Sequence, residues 1–305
     1  MTSPPRVSHQ EWPAALRGGL WMAAAAIAFT LMTTLIREAA KAVHPFEIAF
    51  FRALINLLLM IPFAVRTGAA GLKTNNHKVF MLRGVCGLFF LLTYFPGAAL
   101  IPVAESQALS FTAPLWGSLL AVFLLGERLT RSRVVALTAG FVGVLIILRP
   151  GVVQVSTGAL LVLAGALAAA ASNTIVKFAT RTDHPDAVVL YQMIYVTPLI
   201  LLPALWVWIW PTPKQLLLVF GVGFFATLNQ RFLSRAYAAA DATVVLPFEF
   251  TRLPFAAVIG YLAFRELPDA WAWIGGAVIF GASLYMVQRE TRGARSTSTH
   301  NIARR

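Results

Sequence analysis

Of the chain's 305 residues, 58% are apolar and only 12% charged, with a mean hydropathy of +0.73; a soluble domain has about 45–50% apolar and about 25% charged residues. Too little polar surface remains to clothe a water-soluble globule, which excludes a soluble α/β enzyme, a disordered chain and a secreted disulfide scaffold. The 25 Lys+Arg exceed the 12 Asp+Glu, but they lie mostly between apolar runs, where they set orientation in a bilayer rather than contact with nucleic acid.

Residues 1–17 read as a cytoplasmic N-terminal segment, polar for too long to be the basic region of a signal peptide. Runs of about 20 apolar residues, the length that crosses a bilayer, then follow at 18–36, 45–64, 79–100, 104–125 and 133–149. The second half gives 157–178, 187–209, 216–238, 242–264 and 270–288. Pro102 and Asp241 divide two pairs of runs that would otherwise merge. Residues 289–305, rich in Arg, Ser and Thr, read as a disordered cytoplasmic tail. With the N-terminus inside, fifteen Lys and Arg fall on the cytoplasmic side and five outside, so both termini are expected in the cytoplasm of a multi-pass inner-membrane protein. The lone Cys86 excludes an intrachain disulfide and a cysteine metal site. No cofactor or metal is expected, and the oligomeric state is expected to be a monomer or weak homodimer.

The chain repeats itself. At a shift of 140 residues, 18–45 falls on 158–185 with nine of 28 positions identical, among them Gly18/Gly158, Thr34/Thr174, His44/His184 and Pro45/Pro185. At 139, Phe111-Thr112 meets Phe250-Thr251 and Glu127 meets Glu266; at 138, Ala139 and Gly143 meet Ala277 and Gly281. Small residues four apart let helices approach closely. Five spans per repeat is an odd number, so the second copy (151–288) enters from the opposite face to the first (18–150). The expected fold is an all-α integral membrane protein, with ten transmembrane helices forming two inverted repeats around a central cavity. Such repeats are typical of secondary transporters, which bind solute near the midplane.

The segments PFEIAFFRALINLLLMIPF, IPVAESQALSFTAPLWGSLLAVFLLGERLT and LTAGFVGVLIILRPG resemble the second, fourth and fifth spans of the drug/metabolite transporter superfamily, as two EamA-type units from about Gly18 to Gln288. The resemblance implies a ten-helix carrier of small metabolites, often an exporter of amino acids or related compounds, without ATP hydrolysis. No GxxxxGK[ST] motif is present. The second copy departs from the first: Gln192 replaces Arg52, and Glu249 and Arg252 replace Ser110 and Ala113.

Ionisable groups inside spans usually face a cavity or a partner. Arg52 reads either as a carboxylate-binding fork or as a structural partner of Glu47. Glu249 and Arg252 share a helical face between Pro247 and Pro254, and either neutralise each other or bind the two charges of a zwitterion. Asn173, Asn229 and the trio Thr30, Thr33, Thr34 are cavity candidates or interhelical glue. Tyr94, Trp116 and Tyr191 could clamp a ring or simply pack. Arg83 and Arg235 read as interface anchors, with Asp241 a salt partner for Arg235. Glu105 reads as a helix cap or a proton carrier. Trp206, Trp208, Trp210, Trp271 and Trp273 form an interfacial belt.

The expected substrate-binding set is therefore Arg52, Tyr94, Trp116, Asn173, Tyr191, Asn229, Glu249 and Arg252, for a small metabolite, foremost an amino acid moved outward. Import or exchange of a larger nucleoside-like or adenosyl solute is the alternative within transport. A membrane enzyme acting on lipid-linked substrates is the alternative of another class, disfavoured because no histidine lies in a span and His44 and His184 fall on opposite faces.

Overall fold

A computed structural model of the chain describes residues 11–72, 74, 76–125, 131–150, 154–179, 185–239, 248–249 and 251–302. Asp241, Pro247, Glu127 and the side chain of Asn173 lie outside the described residues. The described chain is helical: α1 Glu11–Ala39, α2 Pro45–Leu72, α3 His77–Leu100, α4 Val103–Ser110, α5 Ala113–Leu125, α6 Arg131–Leu148, α7 Thr157–Ala179, α8 Pro185–Trp206, α9 Pro213–Ala239, α10 Arg252–Phe264 and α11 Ala270–Ile302. By length and composition, α1, α2, α3, α8 and α9 each contain an apolar stretch able to cross a bilayer alone.

Two features depart from the run-by-run expectation. The fourth span is not one helix: α4 ends at Ser110 and the chain turns at Phe111-Thr112 before α5 begins. Pro114 fits the stop, because without an N–H it cannot donate to the Ser110 carbonyl and carry α4 onward, whereas in the first turn of α5 that missing donor costs nothing. The ninth span has a turn at Thr251, the repeat counterpart of Thr112, and α10 starts just after it. Both breaks lie beside a polar group, the arrangement from which carriers build sites. The second departure is at the C-terminus, where α11 continues to Ile302 instead of ending near Gln288. Extending an existing helix costs no new nucleus and adds one hydrogen bond per residue.

The repeat is realised in the packing. α1 lies along α9, and the symmetric equivalent, α7, lies along α3. α2 packs on its own counterpart α8, and α6 on its counterpart α11. The contact of α2 with α9 is matched by that of α8 with α3, and the contact of α1 with α10 by that of α7 with α5. An approximate two-fold axis thus passes between the halves, and the main helix contacts cross from one repeat to the other.

Glycines permit the tightest crossings. A Cβ on Gly97 of α3 would stand 2.8 Å from the carbonyl oxygen of Gly158 on α7, and one on Gly275 of α11 would stand 2.6 Å from that of Gly143 on α6. Gly143 thus makes the expected close approach. Its counterpart Gly281 does not, since a Cβ there meets nothing within 4 Å; the four-residue spacing of small residues is matched in both copies, but Gly275 is the one turned toward α6. At one end of the bundle Arg37, closing α1, forks onto both carboxylate oxygens of Glu266 beyond α10, with Nη2 2.6 Å from Oε1. Arg149 reaches Asp269 at 2.6 Å.

Candidate functional site

Between the halves lies a cavity of about 190 Å³. Its wall is built largely from pairs of positions related by the repeat. Arg52 and Gln192, Ser110 and Glu249, Ala113 and Arg252, Phe90 and Gln230, Phe29 and Ala169, Met32 and Ser172 all face it. The backbone is therefore nearly symmetric about the site while the chemistry is not. Arg83, Gly87, Tyr94 and Asn229 complete the polar and aromatic lining.

Each charged group has a distinct setting. Arg252 opens α10, buried at 9% exposure, and donates Nη2 to Glu249 Oε1. Its guanidinium also lies over Phe29, 4.5 Å from the ring centroid, and 5.4 Å from that of Phe111. Two aromatic faces and a carboxylate compensate its removal from water. Arg52, at 7% exposure, has no ion-pair partner among the described residues, and its buried Nε lacks a hydrogen bond. Glu47 does not pair with it; Glu47 Oε1 instead accepts the backbone N–H of Ile209 at 2.5 Å. Arg83, at 5% exposure, also lines the cavity, which corrects its reading as an interface anchor. It shares the face of α3 that carries Gly87, Phe90 and Tyr94, at helical spacings of four, seven and eleven residues.

Tyr94 is fully buried and locked on both sides of the hydroxyl, 3.1 Å from Thr33 Oγ1 and accepting from Ser106 Oγ at 3.3 Å. Gln107 Nε2 donates to the same Thr33 hydroxyl at 3.2 Å. Phe90 stacks on the Tyr94 ring, centroids 4.9 Å apart and planes 14° from parallel. Asn229 donates to the Ala25 carbonyl at 2.9 Å, tying α9 to α1 at the cavity edge.

Of the eight residues expected from sequence, Arg52, Tyr94, Asn229, Glu249 and Arg252 come together on this wall. Trp116 and Tyr191 do not. The turn at Phe111-Thr112 changes the facing of everything after it, so Trp116 of α5 is half-buried away from the cavity. On α8 the cavity face belongs to Gln192, and Tyr191 instead stacks on Phe80 at 5.0 Å. The threonine trio is glue: Thr30 and Thr34 donate back to Ala26 and Thr30 carbonyls within α1, and Thr33 serves Tyr94. Glu105 lies in the first turn of α4, off the cavity wall. Arg235 is exposed and covers Trp21, 4.9 Å from its centroid. Trp206, Trp210 and Trp271 are exposed, whereas Trp208 is half-buried against Phe50 and Phe51. Sequence reading missed Gln192, Gln230, Ser110 and Ser172; all four are repeat counterparts of wall residues with different chemistry, and that divergence is the signal that finds them.

The family model of the EamA-like transporter family matches twice, over residues 16–149 and 156–288. The chain belongs to that family. It is a transporter, not an enzyme, and its two matched units are the two halves that enclose the cavity. Its sequence is 34% identical over 287 residues to a riboflavin transporter of Rhizobium johnstonii, covering 92% of this chain and 94% of that one. It is 29% identical over 282 residues to an S-adenosylmethionine uptake transporter of Rickettsia prowazekii, covering 92% and 96%. A pseudopaline exporter of Pseudomonas aeruginosa is 30% identical over 273 residues, covering 88% and 95%. One solved crystal structure superposes with a TM-score of 0.59 at 20% identity, over 88% of this chain and 98% of that one, and shares the fold.

Proposed function

We propose that this EamA-family protein is a secondary carrier that moves a ring-bearing polar metabolite across the cytoplasmic membrane by alternating exposure of the central cavity. The observation that carries the reading is the composition of one wall. Phe29, Phe90 and Tyr94 offer flat apolar surface directly beside buried ionic groups. Flat rings gain from aromatic stacking, and a few placed polar groups fix orientation. The similarity to carriers named for riboflavin and S-adenosylmethionine, both ring-bearing, supports the same reading. No nucleotide-binding motif is present, so a solute or ion gradient drives the flux, and both termini face the cytoplasm on the charge count.

Counterflow in proteoliposomes tests this. Riboflavin, S-adenosylmethionine and a panel of amino acids are each offered as labelled solute against the same unlabelled compound inside. Uptake of a ring-bearing solute, with none of simple amino acids, is expected. A second reading, amino-acid export, is favoured by the small cavity volume of about 190 Å³, below the roughly 300–1,000 Å³ of sites for drug-sized ligands. Counterflow of an amino acid alone would select it.

A further inference from the structure

We infer that the solute is a ring-bearing carboxylate, its anionic group seated on Arg52 and a hydrogen-bond donor elsewhere on the ring facing Gln192. This rests on the carrier reading above and narrows its polar metabolite to an acid.

The cavity itself shows what a buried arginine with a structural task requires. Arg252 is held by the Glu249 carboxylate and lies over the faces of Phe29 and Phe111. Three contacts offset its removal from water. Arg52 lines the same cavity and is more than nine-tenths buried, yet among the described residues its guanidinium meets neither a carboxylate nor an aromatic face, and its Nε has no hydrogen bond. The acceptors closest to it along α2 are not used. Glu47 takes the backbone N–H of Ile209. Asn56, one turn on and on the same helical face, is fully buried with both amide atoms unpaired. Glu249, the one acid among the described residues lining the cavity, is engaged by Arg252.

A buried cation without a partner is costly inside a membrane protein. An arriving carboxylate relieves that cost, because a guanidinium binds it through two parallel charge-assisted bonds; an ester, a neutral amide or an ammonium supplies no such match. The other repeat gives the second contact. Gln192 is the counterpart of Arg52, lines the same cavity, is more than nine-tenths buried and has an amide oxygen without a partner. A Cβ on Gly87 would stand 2.8 Å from Gln192 Nε2, so the missing side chain at Gly87 lets the amide rest against α3. Where one repeat offers a cation the other offers a neutral acceptor, and Phe29, Phe90 and Tyr94 line the same space with rings. An acid with a hydroxyl or amino donor on its ring therefore binds in a single orientation.

The test uses purified full-length protein in nanodiscs of zwitterionic lipid, with ligand protection read as the shift in melting temperature across a concentration series. The first probes are benzoate, benzamide, methyl benzoate and benzylamine, which share the ring and change the charge. Benzoate is expected to protect about tenfold more potently than the other three. Arg52→Gln should remove that advantage while leaving the ligand-free melt unchanged or higher, because an unpaired buried charge is lost; a purely structural arginine would lower the melt instead. Arg52→Lys, which keeps the charge and loses the fork, should retain a weakened advantage and serves if the glutamine variant does not fold. The second probes are the 3- and 4-hydroxybenzoates against their methoxy counterparts. At least one hydroxy acid is expected to protect about three- to tenfold more potently than its methoxy form. Gln192→Met, similar in size without an amide, should erase that difference and keep the response to benzoate. Failure of benzoate to protect, equal protection by the amide, ester or amine, or an undiminished benzoate advantage in both Arg52 variants would overturn the inference. No hydroxy preference, or one that persists in Gln192→Met, would overturn the part assigned to Gln192. Counterflow of a neutral or cationic solute by protein that benzoate does not protect would leave the carrier reading standing and sink only the acid. Benzoate protection with no counterflow of any solute would do the reverse.

Discussion

Replacing Gly275 by alanine measures how much of this fold depends on the approach of α6 to α11. The added methyl would stand 2.6 Å from the Gly143 carbonyl oxygen and 2.5 Å from Ile147 Cγ1. Carbon–oxygen contacts between packed helices settle near about 3.3 Å, so the backbones must part by roughly 0.7 Å. A gap of that size forfeits about a quarter to a half of each dispersion contact along the crossing, and overpacking of this kind costs about 1–3 kcal/mol. Gly281→Ala on the same helix is the control. It gains the same roughly 1 kcal/mol of helix propensity but meets nothing within 4 Å, so the difference between the two variants isolates the clash. At about 2–4 °C per kcal/mol for a chain of this order of size, Gly275→Ala should melt roughly 2–12 °C below Gly281→Ala. The single half-buried Cys86 provides the assay, since a thiol-reactive dye reports its exposure on unfolding in detergent. Adding Gly143→Ala should cost less than its separate effect, because one separation of the helices relieves both clashes. If Gly275→Ala and Gly281→Ala melt together, the close crossing is not a determinant of stability and the packing argument fails.

Three further outcomes are expected. Arg265 caps α10 in the left-handed region at φ 59°, where its repeat counterpart is Gly126; Arg265→Gly should raise stability by about 0.5–1 kcal/mol in the same melt, and a lower melt would show that its contact with the Tyr261 ring outweighs the backbone strain. Tyr94→Phe keeps the stack on Phe90 but leaves Thr33 and Ser106 without the phenol, so it should cost about 1–2 kcal/mol in the melt; an unchanged melt would show the hydroxyl network to be dispensable. On a Cys86→Ala background, a membrane-impermeant maleimide applied to intact cells should label a cysteine at Thr212 and miss one at Asn75; the reverse pattern refutes the orientation drawn from the charge count.

The legibility of this fold came from two sources with different reach. Hydropathy sets the apolar runs because backbone polar groups must be satisfied inside each segment, and the helices follow. Landmarks such as His44-Pro45 against His184-Pro185 carry the repeat and, with an odd span count, its inversion. Facing is harder to read. A uniformly apolar helix offers little contrast between its lipid side and its core side, so Tyr191 and Gln192 are equally plausible from the string, and only packing against α3 separates them. Arg83 shows the same difficulty from the charged side: an arginine at the fifth position of a run looks alike whether it reaches for the interface or turns inward. The break at Phe111-Thr112 was within reach, since Pro114 follows two residues later. Its effect on the direction of Trp116 is a three-dimensional consequence that spacing alone does not carry.

Because α1 is buried against α9 and α3 against α7, neither repeat can complete its own interior. During synthesis the first helix must wait in the bilayer until roughly two hundred further residues have been made and threaded before its principal neighbour arrives. Thr30, Thr33 and Thr34 are suited to that interval, since all three donate their hydroxyls to carbonyls of their own helix and need no distant partner to be tolerated by lipid. A half-length fragment would insert but remain an open assembly with one side of each helix uncovered. Two such fragments made in the same cell could still find each other, because the pairings that close the structure are intermolecular for them and of the same kind.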